Sequence, residues 1–179
     1  MPANEQVEAA FALIKQDPSN ILGLKVGKHN ITEPGQYVPR ADAKEAPEIT
    51  YPAASPSKSY TVICLDLDPP SRSFSFLGPA LHWIQPGLRV GSSSAEPLAS
   101  SEPFIANYLP PGPPPGVAPH RYVFYLYEEP EGSALDGGKF APKDGKPMGI
   151  MSRVRTSLDD WVVKMGLGPL VAANYFNSN

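Results

Sequence analysis

The first helical pattern lies near the start of the chain, in the stretch NEQVEAAFALIKQ. Apolar residues recur there at the i, i+3, i+4, i+7 spacing of one helix face, and Asn4 is suited to cap the helix start. The pair Asp17-Pro18 follows, and proline ends a helix because it has no amide hydrogen to donate. We therefore predict an amphipathic helix here, with an apolar face of Val7, Ala10, Phe11 and Ile14.

The second helical pattern is the stretch TSLDDWVVKMG near the other end. Ser157 and Asp160 have the spacing of a capping box, and Gly166 stands where a helix-terminating glycine is expected. The predicted apolar stripe consists of Leu158, Trp161, Val162 and Met165.

The clearest strand pattern is SYTVICLDLDPPS, in which side chains alternate between two faces. One face would carry Thr61, Ile63, Leu65 and Leu67, and the other Val62, Cys64, Asp66 and Asp68. Two carboxylates therefore end the same face of a strand that is otherwise apolar.

Four further stretches predict strands. HRYVFYLYEEP is apolar on both faces, as expected for a central strand covered on both sides, whereas ALHWIQPG reads as a short strand closed by a Pro-Gly turn. The final stretch GPLVAANYFNSN is another strand, and shorter candidates lie at LGLKV and EITYP. Residues 89–107 and the stretch EGSALDGGKFAPKDGKP read as solvated loops. The pattern predicts one mainly β domain over 1–179, an antiparallel sandwich or sheet with peripheral helices.

Composition and charge narrow the function. The 23 prolines show no period, which favours rigid loops between strands over long helices. A net charge of −3 without a block of Lys or Arg disfavours nucleic acid as a partner and allows peripheral membrane contact at most. The single cysteine, Cys64, excludes an intrachain disulfide. No stretch is apolar enough to span a membrane and the start lacks signal-peptide order, so we expect a cytoplasmic protein.

Candidate chemistry rests on the few polar residues inside apolar strands. His120 and Tyr122 share a strand face, directly after the glycine- and proline-rich stretch GPPPG. A histidine, a phenol and nearby backbone N–H groups together offer hydrogen-bond donors to an anion, and a neighbouring Asp would raise the histidine pKa. The candidates are Asp66, Asp68, His82, His120 and Tyr122.

Structural roles for the same residues stay open. Either histidine could be a satisfied core residue, the aspartates could organise the following Pro-Pro loop, and Tyr122 could be a core aromatic. The spacing of histidines and aspartates matches no common metal signature, and no nucleotide or cofactor motif is present, so no metal or cofactor is predicted.

Two motifs on these residues resemble the phosphatidylethanolamine-binding protein family. The first is DLDPPSR, at 66–72, followed by LHW; the second is GPPPGVAPHRYVFYLYEEP, at 112–130. The second is long and specific, and the order of elements between the two motifs also agrees with the family. The stretch ending in LVAANYF is most similar to the fungal, carboxypeptidase-inhibitor branch.

The resemblance implies a large antiparallel sheet packed on a smaller one, with two or more peripheral helices. It implies a pocket for phosphate-like or carboxylate groups, phospholipid head groups included, and a regulatory role without turnover. Pro70 would occupy the family's cis-peptide position, and the backbone at Gly112 and Pro113 would complete the pocket. The implied pocket residues are Asp66, Asp68, Pro70, His82, Gly112, Pro113, His120 and Tyr122.

The chain departs from the family pattern at Leu67, which replaces a proline, and at Ala118, which replaces a glycine before His120. Because the C-terminal helix of animal members has no counterpart, their partners are not transferred to this chain. The partners that remain open are an anionic small molecule or head group, a serine carboxypeptidase and a kinase. Carboxypeptidase inhibition would use the exposed start MPANEQ, and the alternative function is a hydrolase with an Asp-His pair.

Overall fold

The computed structural model describes residues 5–91, 93, 96–130, 137–140, 142 and 145–179. Its helices are α1 (Glu5–Gln16), α2 (Gly137–Phe140) and α3 (Leu158–Met165). Its strands are β1 (Gly23–Val26), β2 (His29–Ile31), β3 (Gln36–Tyr37), β4 (Glu48–Thr50), β5 (Tyr60–Asp66), β6 (Ala80–Leu88), β7 (His120–Glu128) and β8 (Leu170–Ser178).

The strands form two sheets. The larger has the order β3-β8-β7-β5-β6 and is antiparallel except for the short β3, which runs parallel to β8. The smaller is the antiparallel trio β2-β1-β4. Strand β7 is paired on both edges, as its doubly apolar pattern predicts.

The larger sheet is covered on both faces, which explains why β5 and β7 are buried almost throughout. One face packs on the smaller sheet, where Leu24 and Ile49 meet Val62 and Phe124. The other face carries Ile63 among the residues that pack against α1 and α3. The mainly β prediction, with a large sheet, a small sheet and peripheral helices, is confirmed.

The caps of α3 also agree with the sequence. The Ser157 hydroxyl accepts from the Asp160 amide at 3.1 Å, and Gly166 ends the helix with φ of 62°, a left-handed conformation that glycine adopts without strain.

Helix α1 is confirmed, but its described cap comes from another helix. The Asp159 carboxylate accepts from the amides of Glu5 and Gln6, each at 3.0 Å. This long-range contact fixes the start of α1 on α3. The predicted cap Asn4 lies outside the described residues.

The predicted Pro-Gly turn after ALHWIQ is wrong, because β6 continues through Pro86 and Gly87 to Leu88. Proline is tolerated because β6 is an edge strand, where an amide on the open side is not needed for the ladder. Gly87 has φ of 71°, and the β5–β6 register shifts between Tyr60 and Val62.

The loop predictions need two adjustments. The stretch 89–107 is not wholly solvated, since Leu98, Ile105 and Ala106 are buried and Ile84 forms a bridge with Ala106. The later predicted loop contains the short helix α2, and residues 131–136, 141, 143 and 144 lie outside the described residues. No helix in the described part of the chain is long and apolar enough to cross a membrane.

Candidate functional site

A cavity of about 270 Å³ opens where three neighbouring strands bring polar residues together. Asp66, at the end of β5, is in register with Ala80 of β6 and with Tyr122 of β7. His82 and His120 stand on the strands flanking β5, so strand pairing alone gathers residues that are far apart in sequence. The described lining is Asp66, Pro69, Ala80, His82, Leu109, Pro110, Gly112, Pro113, Pro114, His120, Ile150, Arg153 and Val154.

Asp66 and His120 form a buried pair. His120 Nδ1 donates to Asp66 Oδ2 at 2.8 Å, and Oδ1 of the same carboxylate accepts from the Asp68 amide at 2.9 Å. Since a carboxylate only accepts, the proton between the pair belongs to Nδ1. His120 Nε2 is buried and has no hydrogen-bond partner in the described part of the chain.

The charge state of His120 follows from two opposing effects. Burial lowers its pKa, but the hydrogen bond to Asp66 and the negative charges of Asp66 and Asp68 together raise it by more. The pKa is therefore above its ordinary value. The imidazolium form is therefore more favoured than in an unperturbed histidine, and in that form Nε2 is a second donor.

His82 has the opposite tendency. Its Nδ1 lies 2.7 Å from the carbonyl oxygen of Leu109, which fixes the proton on Nδ1 and leaves a lone pair on Nε2. Burial lowers the pKa of His82 and outweighs the charge of Asp66. The cavity thus combines a neutral histidine with one that favours its charged form.

Tyr122 packs against the lining residue His82. Its ring stacks on Phe176 at 5.4 Å and meets the His82 ring edge-on at 5.1 Å. Its hydroxyl is buried and makes no hydrogen bond of good geometry with the described residues, although it lies near the Gly112 backbone and the Asp66 carboxylate. Burial, with the charge of Asp66, raises the pKa of this phenol, so it stays protonated and able to donate.

Arg153 is the cavity residue that the sequence did not reveal. Only 1% of it is exposed, and its guanidinium donates to the carbonyls of Met148, Leu81 and Asn107 at 3.1–3.2 Å. Although burial lowers its pKa, an arginine remains charged. No carboxylate pairs with it among the described residues, so it adds positive charge to the cavity.

The sequence signal for Arg153 was weak and misleading. The residue stands in the stretch GIMSRVRTS, where apolar neighbours would indicate a buried segment. Ile150 and Met151 are in fact largely exposed while the arginine is buried.

Asp68 lies outside the described cavity lining. Its carboxylate is bound by Arg121, through the backbone amide and Nε at 2.9 Å and Nη2 at 2.6 Å. Burial raises the Asp68 pKa, but the contacts with Arg121 outweigh it and leave the pKa below its usual value. The predicted shared strand face does not hold, because β5 ends at Asp66.

The predicted loop residues likewise lie partly inside and partly outside the cavity lining. Gly112 and Pro113 line the cavity, whereas Pro70 follows the lining residue Pro69 through a cis peptide bond and lies outside the described lining. The glycine- and proline-rich stretch before His120 offers fewer backbone N–H donors to an anion than we expected from the sequence. In the stretch 110–115 every residue except Gly112 is proline, so Gly112 supplies its one amide hydrogen.

Cys64 is buried two residues before Asp66, and burial raises the pKa of its thiol well above the ordinary value. A protonated, inaccessible thiol is a poor nucleophile, as the strand position predicts.

The sequence profile described as "Phosphatidylethanolamine-binding protein" matches residues 25–176. Carboxypeptidase Y inhibitor from Saccharomyces cerevisiae is 25% identical over 186 residues, covering 89% of this chain and 84% of the relative. Phomoidride biosynthesis cluster protein N from Talaromyces stipitatus is 34% identical over 123 residues, covering 65% of this chain and 57% of that relative.

Among solved structures, the chain is similar to carboxypeptidase Y inhibitor complexed with its cognate proteinase. The TM-score is 0.67 at 21% identity, and the match covers 96% of this chain and 95% of the other. At that identity the likeness shows the fold.

Proposed function

The chain belongs to the phosphatidylethanolamine-binding protein family, and from that membership we propose that its cavity binds a small oxyanion. Inorganic phosphate and the phosphate of a phospholipid head group are the ligands we expect. The observation that carries the proposal is a pair of buried polar atoms at the cavity, His120 Nε2 and the Tyr122 hydroxyl, which make no hydrogen bond of good geometry in the described part of the chain. Unpaired buried donors are costly, so a ligand that accepts from them offsets a real deficit.

Charge supports an anion over a cation. With His120 as imidazolium, the cavity has His120 and Arg153 as cations and Asp66 as the single carboxylate in its lining. One carboxylate against two cations leaves a net positive charge among buried side chains, where charge acts more strongly than in bulk water. His82 would then accept from a protonated ligand oxygen through its Nε2 lone pair.

The residue types of the cavity lining favour binding over hydrolysis by an Asp-His pair. The described lining contains no serine, threonine or cysteine to act as nucleophile. Asp66 therefore orients His120 and stabilises its charge.

An NMR titration tests the proposal. Phosphate or phosphoethanolamine added at millimolar concentration should shift the ring resonances of His82 and His120. His29 provides an internal control, because it pairs with Asp42 at 2.8 Å and lies outside the cavity lining. Unchanged His82 and His120 resonances, or equal shifts of all three histidines, would rule out a specific oxyanion site.

A second candidate function is inhibition of a serine carboxypeptidase. The likeness to carboxypeptidase Y inhibitor, over 89% of the chain, favours it. We propose that the segment before α1 makes the inhibitory contact; residues 1–4 lie outside the described residues. The Asp159 contacts with the amides of Glu5 and Gln6 hold the start of α1 in place, and this segment is attached there.

Deletion of residues 1–4 tests this function without removing the capped amides. The truncated chain should keep its thermal stability and phosphate binding but lose inhibition of a serine carboxypeptidase. Asp66→Asn should do the reverse, losing phosphate binding while still inhibiting. Full inhibition by the truncated chain would overturn the proposed contact.

A further inference from the structure

A second cleft, of about 630 Å³, lies beside the cavity and contains two cations. Arg40 and Lys44 line it, on the short 3₁₀ helix that follows β3 and just beyond it. The rest of the described lining is Pro39, Ala41, Pro110, Pro111 and Asn179.

No side-chain carboxylate of the described residues pairs with the two cations of this cleft. Asp42 lies between the two cations in sequence, but its carboxylate is bound by His29 Nε2 at 2.8 Å and lies 3.6 Å from Lys28 Nζ. Within the described part of the chain no ion pair involves Arg40 or Lys44, and both residues are exposed. An anion entering the cleft would therefore meet two available donors.

The cleft and the cavity share a wall. Pro110 lines both of them, so the two spaces adjoin at this residue. Proline has a fixed φ and loses little freedom on binding, so this wall is preformed. Two positive sites thus lie side by side across a rigid ridge.

We propose that the cleft is a second anion subsite and that the ligand of this protein has two anionic groups, one for each side of Pro110. The inference rests on the proposed oxyanion cavity and specifies its ligand class. The class is a small molecule with two phosphate or carboxylate groups joined by a short linker. His120 and Tyr122 hold the first group, and Arg40 and Lys44 hold the second.

Alkane bisphosphonates of increasing chain length provide the test. Isothermal titration calorimetry would compare each with the monophosphonate of equal chain length. Because the second contact becomes intramolecular, one linker length should bind at least about tenfold more tightly than its monophosphonate. Shorter linkers cannot reach across Pro110, and longer ones lose the gain gradually.

The double variant Arg40→Ala/Lys44→Ala should remove that gain and leave monophosphonate affinity unchanged. Lys15→Ala/Arg89→Ala is the matched control, since it removes the same charge from exposed positions outside both linings. Thermal unfolding checks that both double variants remain folded, as expected for exposed side chains.

The outcomes separate the two levels of the proposal. Monophosphonate binding without a length-dependent gain, or a gain that survives Arg40→Ala/Lys44→Ala, overturns the second subsite and leaves the cavity intact. Equal loss in the control variant shows general charge attraction and also overturns it. Failure of every phosphonate to bind overturns the oxyanion cavity itself.

Discussion

Each end of the β5–β7 strand pair contains a buried carboxylate. The two ends differ in whether the polar groups around the carboxylate all have hydrogen-bond partners. At one end, Glu129 Oε1 accepts from the Thr61 hydroxyl and from the Gly87 amide, both at 2.7 Å. At the other end, Asp66 orients His120, yet His120 Nε2 has no partner in the described part of the chain. Only the second end opens into the cavity described above.

The difference shows how burial serves structure in one place and binding in another. A carboxylate whose neighbours are all paired contributes stability, because removing it leaves buried donors unsatisfied. A site with a buried donor left over costs stability in the free protein, and a ligand that accepts from the donor recovers it. Mutation of a fully paired network should therefore lower the stability of the fold. Mutation of the incomplete network at the cavity should lower the affinity for the ligand.

The largest expected effect is on stability, at the completed end. Glu129→Ala leaves the Thr61 hydroxyl and the Gly87 amide without their acceptor. We expect a loss of about 3 kcal/mol in the free energy of unfolding, measured by urea denaturation, with phosphate affinity unchanged.

The neighbouring Glu128→Ala is the control for this prediction. Glu128 pairs with Lys58 at the surface, so its removal should cost less than about 1 kcal/mol. If Glu129→Ala costs no more than Glu128→Ala, the completed network does not stabilise the fold as argued.

The next effect is on affinity, at the incomplete end. Tyr122→Phe removes a hydroxyl that makes no hydrogen bond of good geometry in the described part of the chain, so stability should be unchanged or slightly higher, while phosphate affinity falls by about tenfold. Calorimetric titration and urea denaturation on the same samples measure both quantities.

Tyr125→Phe is matched to this variant. The Tyr125 hydroxyl is also buried without a partner among the residues that the structure describes, but its ring lies in the core between the larger sheet and the helices. It should show the same stability response with no change in phosphate affinity. An equal loss of affinity in both variants would contradict a direct contact from Tyr122.

Sequence reasoning was strongest where a local pattern sufficed. The burial of β5 and β7 and the caps of α3 follow from residues next to one another, and the structure confirms them. The motifs also predicted Asp66, His82 and His120 as site residues. These residues meet at the cavity because they stand on three adjacent strands.

The remainder depended on contacts between distant residues. Arg153 joins the cavity because carbonyls of Leu81, Asn107 and Met148 converge on its guanidinium, which no spacing encodes. Asp68 looked equivalent to Asp66 by alternation, but the strand ends between them and Arg121 binds the second carboxylate. The course of β6 through Pro86 likewise required knowing that β6 is an edge strand.

A smaller effect extends the comparison to a partly exposed carboxylate. Asp159→Ala removes the acceptor for the first two amides of α1, and we expect a loss of about 1 kcal/mol, as for other helix caps. Urea denaturation measures this loss, and circular dichroism should show little change in helix content. Asp160→Ala is the control, because its backbone amide, and not its carboxylate, makes the contact with Ser157. Equal losses in both variants would point to helix-dipole effects in place of capping.

The smallest expected effect is the pH dependence of stability, because the two cavity histidines act in opposite directions. His120 has a raised pKa, so its contribution to stability is complete below the ordinary value of 6.5 and is lost as pH rises through the folded value. His82 has a lowered pKa, so its contribution is present above 6.5 and is lost as pH falls through the folded value. Together they predict a shallow maximum of unfolding free energy near pH 6.5.

Difference curves isolate each branch of this maximum. Unfolding free energies from pH 5 to pH 9, for wild type minus His82→Gln, should fall on the acid side, and those for wild type minus His120→Asn should fall on the alkaline side. NMR should find the midpoint of His120 above 6.5 and that of His82 below it. A midpoint for His120 below 6.5 would mean that burial outweighs Asp66. The incomplete end would then lack the charged donor on which anion binding depends.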